Sequence, residues 1–385
     1  MPEIVKLSQK DYPEIFKLSQ YAFQYHLSKE AYDKKCAEAM RHDIYGYKIN
    51  HQLAGKLHII PLKVLIENKI FTMSGISSVA TWPEHSGQKI AEKLIKKSLA
   101  EYKEKQTMLA YLHPFNAGFY RRYGFEFITD KIDYIIPVEK LKYPWKKTGT
   151  VQRDGIQIED LNRVYEMFIS NFNGGLKRDE KWWEQRVLTD NQVEKIIIKD
   201  EANTPQAYMI YKVKNNRFEI TEMAYTNQTY LESIYHFILK HYSTINEVRM
   251  STHEDNTLSY ILDDPMFTQE KQPYFMARIV DLQAFFNNYP FHIKNDTFIN
   301  VRINDELLIE NTAFYKITAT KIIKSKKSHS KNHIEINIGD LTALLMGYKT
   351  IKELKFFNRI QGDDIELSKL NTIINPQTPY LLDYF

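Results

Sequence analysis

Several features are scarce in this 385-residue sequence, and each scarcity excludes a class of protein. The single cysteine, Cys36, excludes a disulfide bond within the chain. No stretch approaches the roughly 18 consecutive apolar residues of a membrane-spanning helix, and the first residues lack the basic and apolar regions of a signal peptide. Glycine and proline number only 13 each, which argues against low-complexity segments. We therefore expect a folded cytoplasmic protein with no membrane partner.

An excess of charge of one sign is also missing. The 52 lysines and arginines stand against 48 aspartates and glutamates, a formal net charge of +4. Proteins that bind nucleic acids usually carry a concentrated basic stripe. The densest basic stretch, residues 321–331, lies between two strand-like runs and is interpreted as a solvated loop. We expect no nucleic-acid partner.

Histidines do not form an obvious metal-binding pattern. The twelve histidines are scattered, and the nearest pair, His329 and His333, falls in a turn rich in lysine and serine. A metal site needs several ligands that converge on one point, which this pair does not supply. We predict no metal.

The sequence does have the length and the aromatic content for several packed domains. A chain of 385 residues predicts two or three domains at the usual ~100–200 residues each. A composition break at residues 143–150 (YPWKKTGT) predicts a linker. We expect an α/β (α+β) protein with domains at 1–145, 146–288 and 289–385.

Local signals predict individual elements. Ser8 and Asp11 have the spacing of a capping box, and Pro13 falls in the first turn of the helix that would follow. Other predicted elements are a hairpin turn at 67–69, helices over 87–105 and 116–123, strands over 297–303, 307–309, 313–323 and 333–338, and helices over 339–346 and 351–357.

One strand–turn–helix junction points to chemistry. A predicted strand ends at Thr81, the chain turns at Pro83, and a helix is expected to start near Gly87. The first turn of a helix presents unpaired N–H groups and the positive end of the helix dipole, which together bind phosphates. Such junctions are common, so this signal alone also fits a purely structural turn.

A second segment gives the junction a context. The sequence HPFNAGFYRRYGFE, residues 113–126, follows the next predicted strand. The two segments together resemble the acetyl-CoA core of the GNAT N-acetyltransferases. In that family a strand of pattern V-x-T-x-P pairs with the pantetheine, a glycine-containing loop holds the pyrophosphate, and a helix of pattern F-Y-x-x-x-G-F places a tyrosine hydroxyl near the thioester sulfur.

The resemblance assigns the cofactor acetyl-CoA and its contacts. Two positions depart from the family pattern, because Ser86 stands where arginine or glutamine is usual and Lys89 where glycine is usual. Lys89 therefore requires a backbone that is not restricted to glycine. The implied cofactor-binding residues are Val79, Ala80, Thr81, Ser86, Gly87, Gln88, Lys89, Ile90, Ala91, Asn116 and Phe119.

The sequence resembles one subgroup more closely, the Eis-type (enhanced intracellular survival) acetyltransferases. The segments LSQYAFQY (18–25) and LHPFNAGFYRRYGFE (112–126) carry this resemblance, with the aromatic C-terminus. It implies an active GNAT domain, a second GNAT-like domain without a cofactor loop, and a C-terminal domain similar to sterol carrier proteins. It also implies a homohexamer.

An acid and a base are needed, since amine acetylation requires two proton transfers. The motif implies Tyr120 as the acid. The strand 75–81 (GISSVAT) contains no Asp, Glu or His that could act as the base. The resemblance implies that the C-terminal carboxylate of Phe385 fills this role from within the first domain's cleft. The aromatic chain end, PYLLDYF, is also consistent with a terminus that only packs against a neighbour.

The acceptor is expected to be a small-molecule amine. Candidates for the substrate cleft are Phe23, Tyr25, Ser77 and Asp383. Two anions, Asp383 and the terminal carboxylate, would suit a polycation, so an aminoglycoside is the first hypothesis. Two alternatives remain: acetylation of a protein lysine or a metabolite amine, and a non-enzymatic protein that binds acetyl-CoA or an apolar ligand.

Overall fold

The computed structural model describes residues 2–253, 258–294, 297–327, 332–374 and 376–385. His329 and part of the predicted basic loop lie outside the described residues. The chain forms two compact units that do not follow chain order. The first unit contains Met1–Ile128, Phe275–Pro376 and Phe385, and the second contains Thr129–Tyr274 and Gln377–Tyr384.

The N-terminal part of the first unit is a mixed sheet covered by helices. Strands β1 to β5 lie side by side in chain order, and all neighbours are antiparallel except β4 and β5. Its elements are β1 (Glu3–Leu7), a 3₁₀ turn (Gln9–Asp11), α1 (Tyr12–Phe23), α2 (Lys29–Ala39), β2 (Asp43–Ile49), β3 (Gln52–Ile66), β4 (Lys69–Thr81), a 3₁₀ turn (Pro83–His85), α3 (Ile90–Glu104), β5 (Leu109–Leu112) and α4 (Ala117–Arg121).

Local sequence signals account for the start of this unit. The Ser8 N–H and hydroxyl both donate to the Asp11 carboxylate, which confirms the predicted capping box. The predicted turn at 67–69 is also confirmed, since Glu67 and Asn68 both have positive φ and join β3 to β4. These two residues match a tight hairpin, whose backbone needs the left-handed region.

The sheet buries apolar side chains on both faces. Alternate residues of β3, such as Leu57 and Ile59, pack with Leu94 and Leu99 of α3. The opposite face meets α1, where Ile15 and Leu18 are fully buried. This second face is therefore also covered, although β3 places polar residues on it.

The second unit has a core of its own. Its strands lie in the order β6, β11, β10, β9, β8, β7, and an apolar cluster with Trp145, Tyr211 and Ile234 fills one side. The elements are β6 (Glu126–Pro137, which starts in the first unit), a 3₁₀ turn (Val138–Leu141), β7 (Thr150–Gln152), α5 (Ile158–Ile169), α6 (Glu180–Trp182), a π-helical turn (Trp183–Val187), β8 (Glu194–Lys199), β9 (Pro205–Lys214), β10 (Arg217–Tyr225), α7 (Gln228–Leu239), β11 (Glu247–Thr252), α8 (Leu258–Ile261) and β12 (Thr268–Ile279, which ends in the first unit).

A buried ion pair holds the C-terminal segment within the second unit. The Asp383 carboxylate accepts hydrogen bonds from Arg178 Nε at 3.0 Å, Trp182 Nε1 at 2.7 Å and the Tyr165 hydroxyl at 3.1 Å. Both charged side chains are almost fully buried, at 1% and 2% exposure. Arg178 also pairs with Glu222. This differs from the expectation that Asp383 faces a substrate cleft, because its oxygens are already used by buried donors.

The last third of the chain completes the first unit. A second sheet has the strand order β15, β14, β13, β16, β17, and the end of β12 pairs with β5. The elements are α9 (Leu282–Asn288), β13 (Phe298–Asn304), a 3₁₀ turn (Ile309–Asn311), β14 (Ala313–Thr318), β15 (Ile322–Ser325), β16 (Ile334–Asn337), α10 (Ile338–Leu345), α11 (Ile351–Phe356), β17 (Ile360–Gln361) and α12 (Asp364–Ile373).

Two sequence predictions in this part are wrong in detail. The strand expected at 307–309 is absent from this described stretch, where Asp305 accepts the N–H groups of Leu307 and Leu308 and a 3₁₀ turn begins at Ile309. The single strand expected over 313–323 is a hairpin, β14 and β15. The two predicted helices after residue 338 are confirmed as α10 and α11.

A buried arginine joins this part to the segment that follows α4. Arg278 in β12 is fully buried and pairs with Asp305. Its guanidinium also donates to the Tyr123 carbonyl. A Cβ at Gly124 would lie 3.2 Å from the same guanidinium, and Gly124 has a φ of +75°. The C-terminal part of the unit thereby holds the backbone at Tyr123 and Gly124, directly after α4, in place.

None of the helices in the described ranges is long and apolar enough to cross a bilayer.

The Arg178–Asp383 pair yields a stability prediction. Asp383→Ala leaves a buried guanidinium short of one of its carboxylate partners, which typically costs about 3–5 kcal/mol. We expect a lower urea midpoint by tryptophan fluorescence. Asp190→Ala, which removes a solvent-exposed ion pair with Lys212, is the matched control and should change the midpoint little. Equal midpoints for the two variants would show that the buried pair does not hold the segment.

Candidate active site

A wedge opens between two neighbouring strands of the first unit. The parallel strands β4 and β5 pair only from Met73 opposite Leu109 to Gly75 opposite Tyr111. β4 then continues to Thr81. Beyond Gly75, this edge of β4 has no ladder partner among the described strands, so its main-chain N–H and C=O groups can bind another extended molecule.

A β-bulge alters the direction of β4 inside the wedge. The register between β3 and β4 shifts between the pairs His58–Ser77 and Lys56–Ala80. Ser78, within the bulge, has a φ of +53°. Bulges twist a strand and redirect side chains, and they are common beside active sites. The predicted pantetheine-binding residues Val79, Ala80 and Thr81 follow directly.

The loop that the sequence predicts to bind phosphate follows β4. Residues 86–89 are exposed, and Gly87 has a φ of +79°. Helix α3 starts at Ile90 rather than at Gly87, and Ile90 is buried in the core. The first N–H bonded within this 15-residue helix is that of Lys93, which donates to the Lys89 carbonyl, so the free N–H groups lie at residues 90–92, beside the loop.

Lys89 adopts the backbone that its family position favours for glycine. Its φ is +56° and its ψ is +31°, in the left-handed region. A residue with a Cβ can occupy this region at a cost of roughly 1–2 kcal/mol. The loop therefore keeps the local geometry without the glycine, and the exposed Lys89 side chain adds a cation at the same place.

Helix α4 holds Tyr120 in an aromatic cluster. The Asn116 side chain caps the helix by accepting from the Phe119 N–H at 2.9 Å. The ring of Tyr120 meets the edges of Phe115, Phe119 and Phe125, and the residue is 3% exposed. Burial raises the pKa of the Tyr120 hydroxyl above its usual value. The hydroxyl therefore keeps its proton at neutral pH, as a proton donor must.

Phe385 lies at the apex of the wedge. A Cβ added to Gly75 would be 2.7 Å from Phe385 Cε2. The Phe385 ring packs against Phe275 with ring centroids 5.0 Å apart, and the residue is 5% exposed. Gly75 is the last β4 residue that pairs with β5. The absence of a side chain at this position makes room for the terminal ring.

The predicted acceptor residues share one face of the sheet, with one exception. Ser77 lies opposite His58 in the β3–β4 ladder, and Phe23 ends α1 with about half of its side chain exposed. Tyr25 follows α1, and partial burial raises its pKa. The exception is Asp383, which lies in the ion pair of the second unit.

Three polar residues of this face were not predicted from the sequence. Lys56 and His58 on β3 and His42 before β2 form a connected cluster. Lys56 is fully buried, and desolvation, with a smaller effect of Lys35, lowers its pKa to about 7. The alternation of Lys56 and His58 with Leu57 and Ile59 predicts an exposed polar face. Only the packing of α1 on that face shows that the residues are buried.

No group of three or more His, Cys, Asp or Glu residues within the described ranges is arranged to hold a metal ion.

Comparison with protein families identifies three domains. Residues 3–128 match an acetyltransferase (GNAT) domain, residues 174–279 match a second acetyltransferase (GNAT) domain, and residues 282–382 match a sterol carrier protein domain. A search of curated proteins found no significant match.

Solved structures share the whole fold. A probable N-acyltransferase from Enterococcus faecalis is 26% identical with a TM-score of 0.93. A GCN5-related N-acetyltransferase from Anabaena variabilis is 19% identical with a TM-score of 0.88, and Eis1 from Mycobacterium abscessus is 15% identical with a TM-score of 0.83. Each alignment covers 100% of both chains.

The wedge, the helix after it and these matches define an enzyme of the GNAT acetyltransferase class that uses acetyl-CoA. The chain contains two GNAT acetyltransferase domains followed by a sterol carrier protein domain, and its fold is similar to that of Eis1. The resemblance stated from the sequence and the predicted fold class are thereby confirmed.

The contact between Gly75 and Phe385 yields a second prediction. Gly75→Ala places a methyl group where the terminal ring lies, so we expect the ring to move and Phe385 to become accessible. Faster release of the C-terminal phenylalanine by carboxypeptidase would measure this change. Gly118→Ala is the control, because its Cβ would meet Asn116 Oδ1 at 3.4 Å. Unchanged release from Gly75→Ala would contradict the docked position.

Proposed function

We propose that this acetyltransferase transfers the acetyl group of acetyl-CoA to primary amines of a polycationic small molecule, with aminoglycosides as the first class to test. The observation that carries the proposal is the wedge between β4 and β5. Tyr120 lies in the helix that follows β5, and Phe385 packs on Gly75 at the wedge apex. Both belong to the first unit.

We propose that the cofactor binds along the open edge of β4. The main chain of Val79, Ala80 and Thr81 pairs with the pantetheine, because this is the part of β4 without a strand partner toward β5. The N–H groups from Ser86 through Gly87, Gln88, Lys89, Ile90 and Ala91 hold the pyrophosphate at the start of α3. Asn116 and Phe119 complete the pocket from α4. Acetyl-CoA supplies the electrophilic thioester carbon.

The proposed proton transfers use the two ends of the wedge. The acceptor amine loses a proton as its nitrogen attacks the thioester, and the α-carboxylate of Phe385 is proposed as the general base. The departing thiolate gains a proton from the Tyr120 hydroxyl. Each positioned group contributes about 10²–10⁴-fold to such a reaction.

The acceptor is proposed to bind beside the C-terminal end of α1, in contact with Phe23, Tyr25 and Ser77. Since Asp383 is paired with Arg178, the terminal carboxylate is the anion proposed to attract a cationic amine. A net charge of +4 gives no general attraction for a cation, so the attraction must be local.

One observation favours a second acceptor class. Lys56 lies on the acceptor face over the Phe23 ring, and its protonated form suits a metabolite amine that carries its own negative charge. A panel of aminoglycosides, polyamines, amino-acid-like amines and lysine peptides, assayed for free CoA, distinguishes these classes. Release of CoA with the anionic amines alone would replace the aminoglycoside proposal.

The resemblance supports two further proposals. We propose that copies of the chain assemble as a homohexamer, which light scattering coupled to gel filtration tests directly. We also propose the functional boundaries 1–145, 146–288 and 289–385.

Tyr120→Phe tests the acid. The variant keeps the ring that packs on Phe119 and loses only the hydroxyl proton. We expect kcat to fall by about 10²–10⁴-fold while the Kd for acetyl-CoA stays the same. Tyr123→Phe, one turn later on the same segment, is the matched control and should keep its kcat. A normal kcat for Tyr120→Phe would refute the assignment.

A C-terminal extension tests the base. Appending a few residues after Phe385 moves the carboxylate away from the wedge, and the buried position has no room for a tail. We expect loss of turnover with retained acetyl-CoA binding, measured by CoA release and by calorimetry. An equal extension at the N-terminus is the control. Full activity of the C-terminally extended enzyme would rule out the terminal base.

A further inference from the structure

We propose that Ser78, Lys56, His58 and His42 form a proton relay that removes the acceptor amine's proton from the wedge. This inference rests on the proposed acetyl transfer and adds residues that neither the sequence motifs nor the family matches assign. All four residues belong to the first unit.

The relay is continuous through side-chain atoms. Lys56 Nζ is hydrogen-bonded to Ser78 Oγ and lies 3.4 Å from His58 Nε2. The other ring nitrogen of His58, Nδ1, lies 3.2 Å from His42 Nδ1. His58 therefore uses both of its ring nitrogens, one toward the lysine and one toward the second histidine, which is the arrangement that lets a proton cross an imidazole.

The two ends of the relay are more accessible than its middle. Lys56 is fully buried and His58 is 5% exposed, whereas Ser78 and His42 are half-buried. Ser78 lies in the bulge of β4 with a left-handed backbone, next to Val79 on the strand edge proposed to hold the cofactor. The relay thus leads from Ser78, beside the wedge, through the buried Lys56 and His58 to His42.

The surroundings of Lys56 keep its amine able to accept a proton. Within the described residues its amine contacts Ser78, His58 and the ring of Phe23, with no carboxylate at ion-pair distance. The charged group that acts on it is Lys35 from α2, which is itself paired with Glu38. Burial without a counter-ion lowers the pKa of Lys56 to about 7, so a large share of the amine is neutral at neutral pH.

The proposed step balances. The terminal carboxylate takes the first proton of the acceptor ammonium, which leaves a neutral amine. The proton that the nitrogen releases as it attacks passes to Ser78 Oγ while the Ser78 hydroxyl proton passes to Lys56 Nζ, which becomes an ammonium. Lys56 then releases a proton to His58 Nε2 as His58 Nδ1 gives its proton to His42, and His42 returns it to water. The C–N bond forms, the C–S bond breaks, and the thiolate takes its proton from Tyr120.

A relay with a pKa near 7 complements the terminal carboxylate. An α-carboxyl group has an ordinary pKa of about 3.3–3.7, so it attracts an ammonium strongly and holds its proton weakly. General bases are most effective when their pKa is near the working pH. We therefore assign to Phe385 the attraction of the acceptor ammonium and the removal of its first proton, and to Lys56 the uptake of the proton that the nitrogen releases during attack.

Lys56→Met tests the relay. Methionine has a similar length, and replacing an unpaired buried cation by an apolar group should leave the fold intact. In the wild type, we expect kcat/KM to rise with pH through about 7, as Lys56 loses its proton. In Lys56→Met this rise of kcat/KM with pH should be missing, and kcat/KM above pH 7 should be about 10²-fold lower than in the wild type. Lys63→Met, at an exposed position of the same strand, is the matched control.

The outcomes separate the relay from the proposed function. If Lys56→Met keeps the pH limb and the rate of Lys63→Met, the relay is overturned, even when the C-terminal extension inactivates the enzyme. If Lys56→Met loses both while the extended enzyme stays active, the relay stands and the terminal base fails. His58→Asn should also lower the rate, with acetyl-CoA affinity unchanged.

A readout without turnover checks the buried amine itself. Because folding lowers the pKa of Lys56 from the usual 10.5 to about 7, the unfolded chain binds more protons between these values. The free energy of unfolding should therefore rise with pH across this window, and the rise should be smaller in Lys56→Met. An identical pH dependence for Lys56→Met and Lys63→Met would show that the amine is not neutral in the fold and would overturn the relay.

Discussion

The separation of β4 from β5 at Gly75 is the constraint on which the site depends. If the two parallel strands stayed paired as far as Val79, no main chain would be open there, and a side chain at position 75 would occupy the place of the Phe385 ring. The ladder ends where the residue without a Cβ stands. The strand edge and the aromatic terminus are thereby brought together, and the helix that carries Tyr120 follows β5.

Buried charges in this protein follow two different rules. Arg178 with Asp383 and Arg278 with Asp305 are paired cations, each with a carboxylate and further hydrogen bonds. These pairs hold segments that are distant in sequence. Lys56 has the same burial without a counter-ion among the residues that the structure describes, and desolvation then favours the neutral amine. A paired cation fixes structure, whereas an unpaired amine of this kind can change its protonation state, which suits chemistry.

Local sequence patterns predict the parts of the site that depend on local backbone. The capping box at Ser8, the hairpin turn and the F-Y-x-x-x-G-F helix all involve residues close together in the chain, where the backbone decides the structure. The bulge at Ser78 and the burial of Lys56 depend on strand register and on the helix that packs over the sheet. Those are long-range properties, which a local pattern does not contain. The polar alternation in β3 therefore predicts a face exposed to solvent, whereas in the fold α1 covers that face.

The position of Asp383 shows the same limit for charges. An acidic residue near an aromatic terminus suggests a cation-binding rim, but its partners lie about 200 residues earlier in the chain, at Arg178 and Trp182. Once that carboxylate is taken up, attraction for a cationic acceptor depends on the terminus and on the charge of Lys56. Above a pH of about 7 the lysine is mostly neutral and repels no cation. Below that pH, the protonated lysine can accept no further proton, and its positive charge repels the cationic acceptor. Acid should therefore weaken both acceptor binding and catalysis.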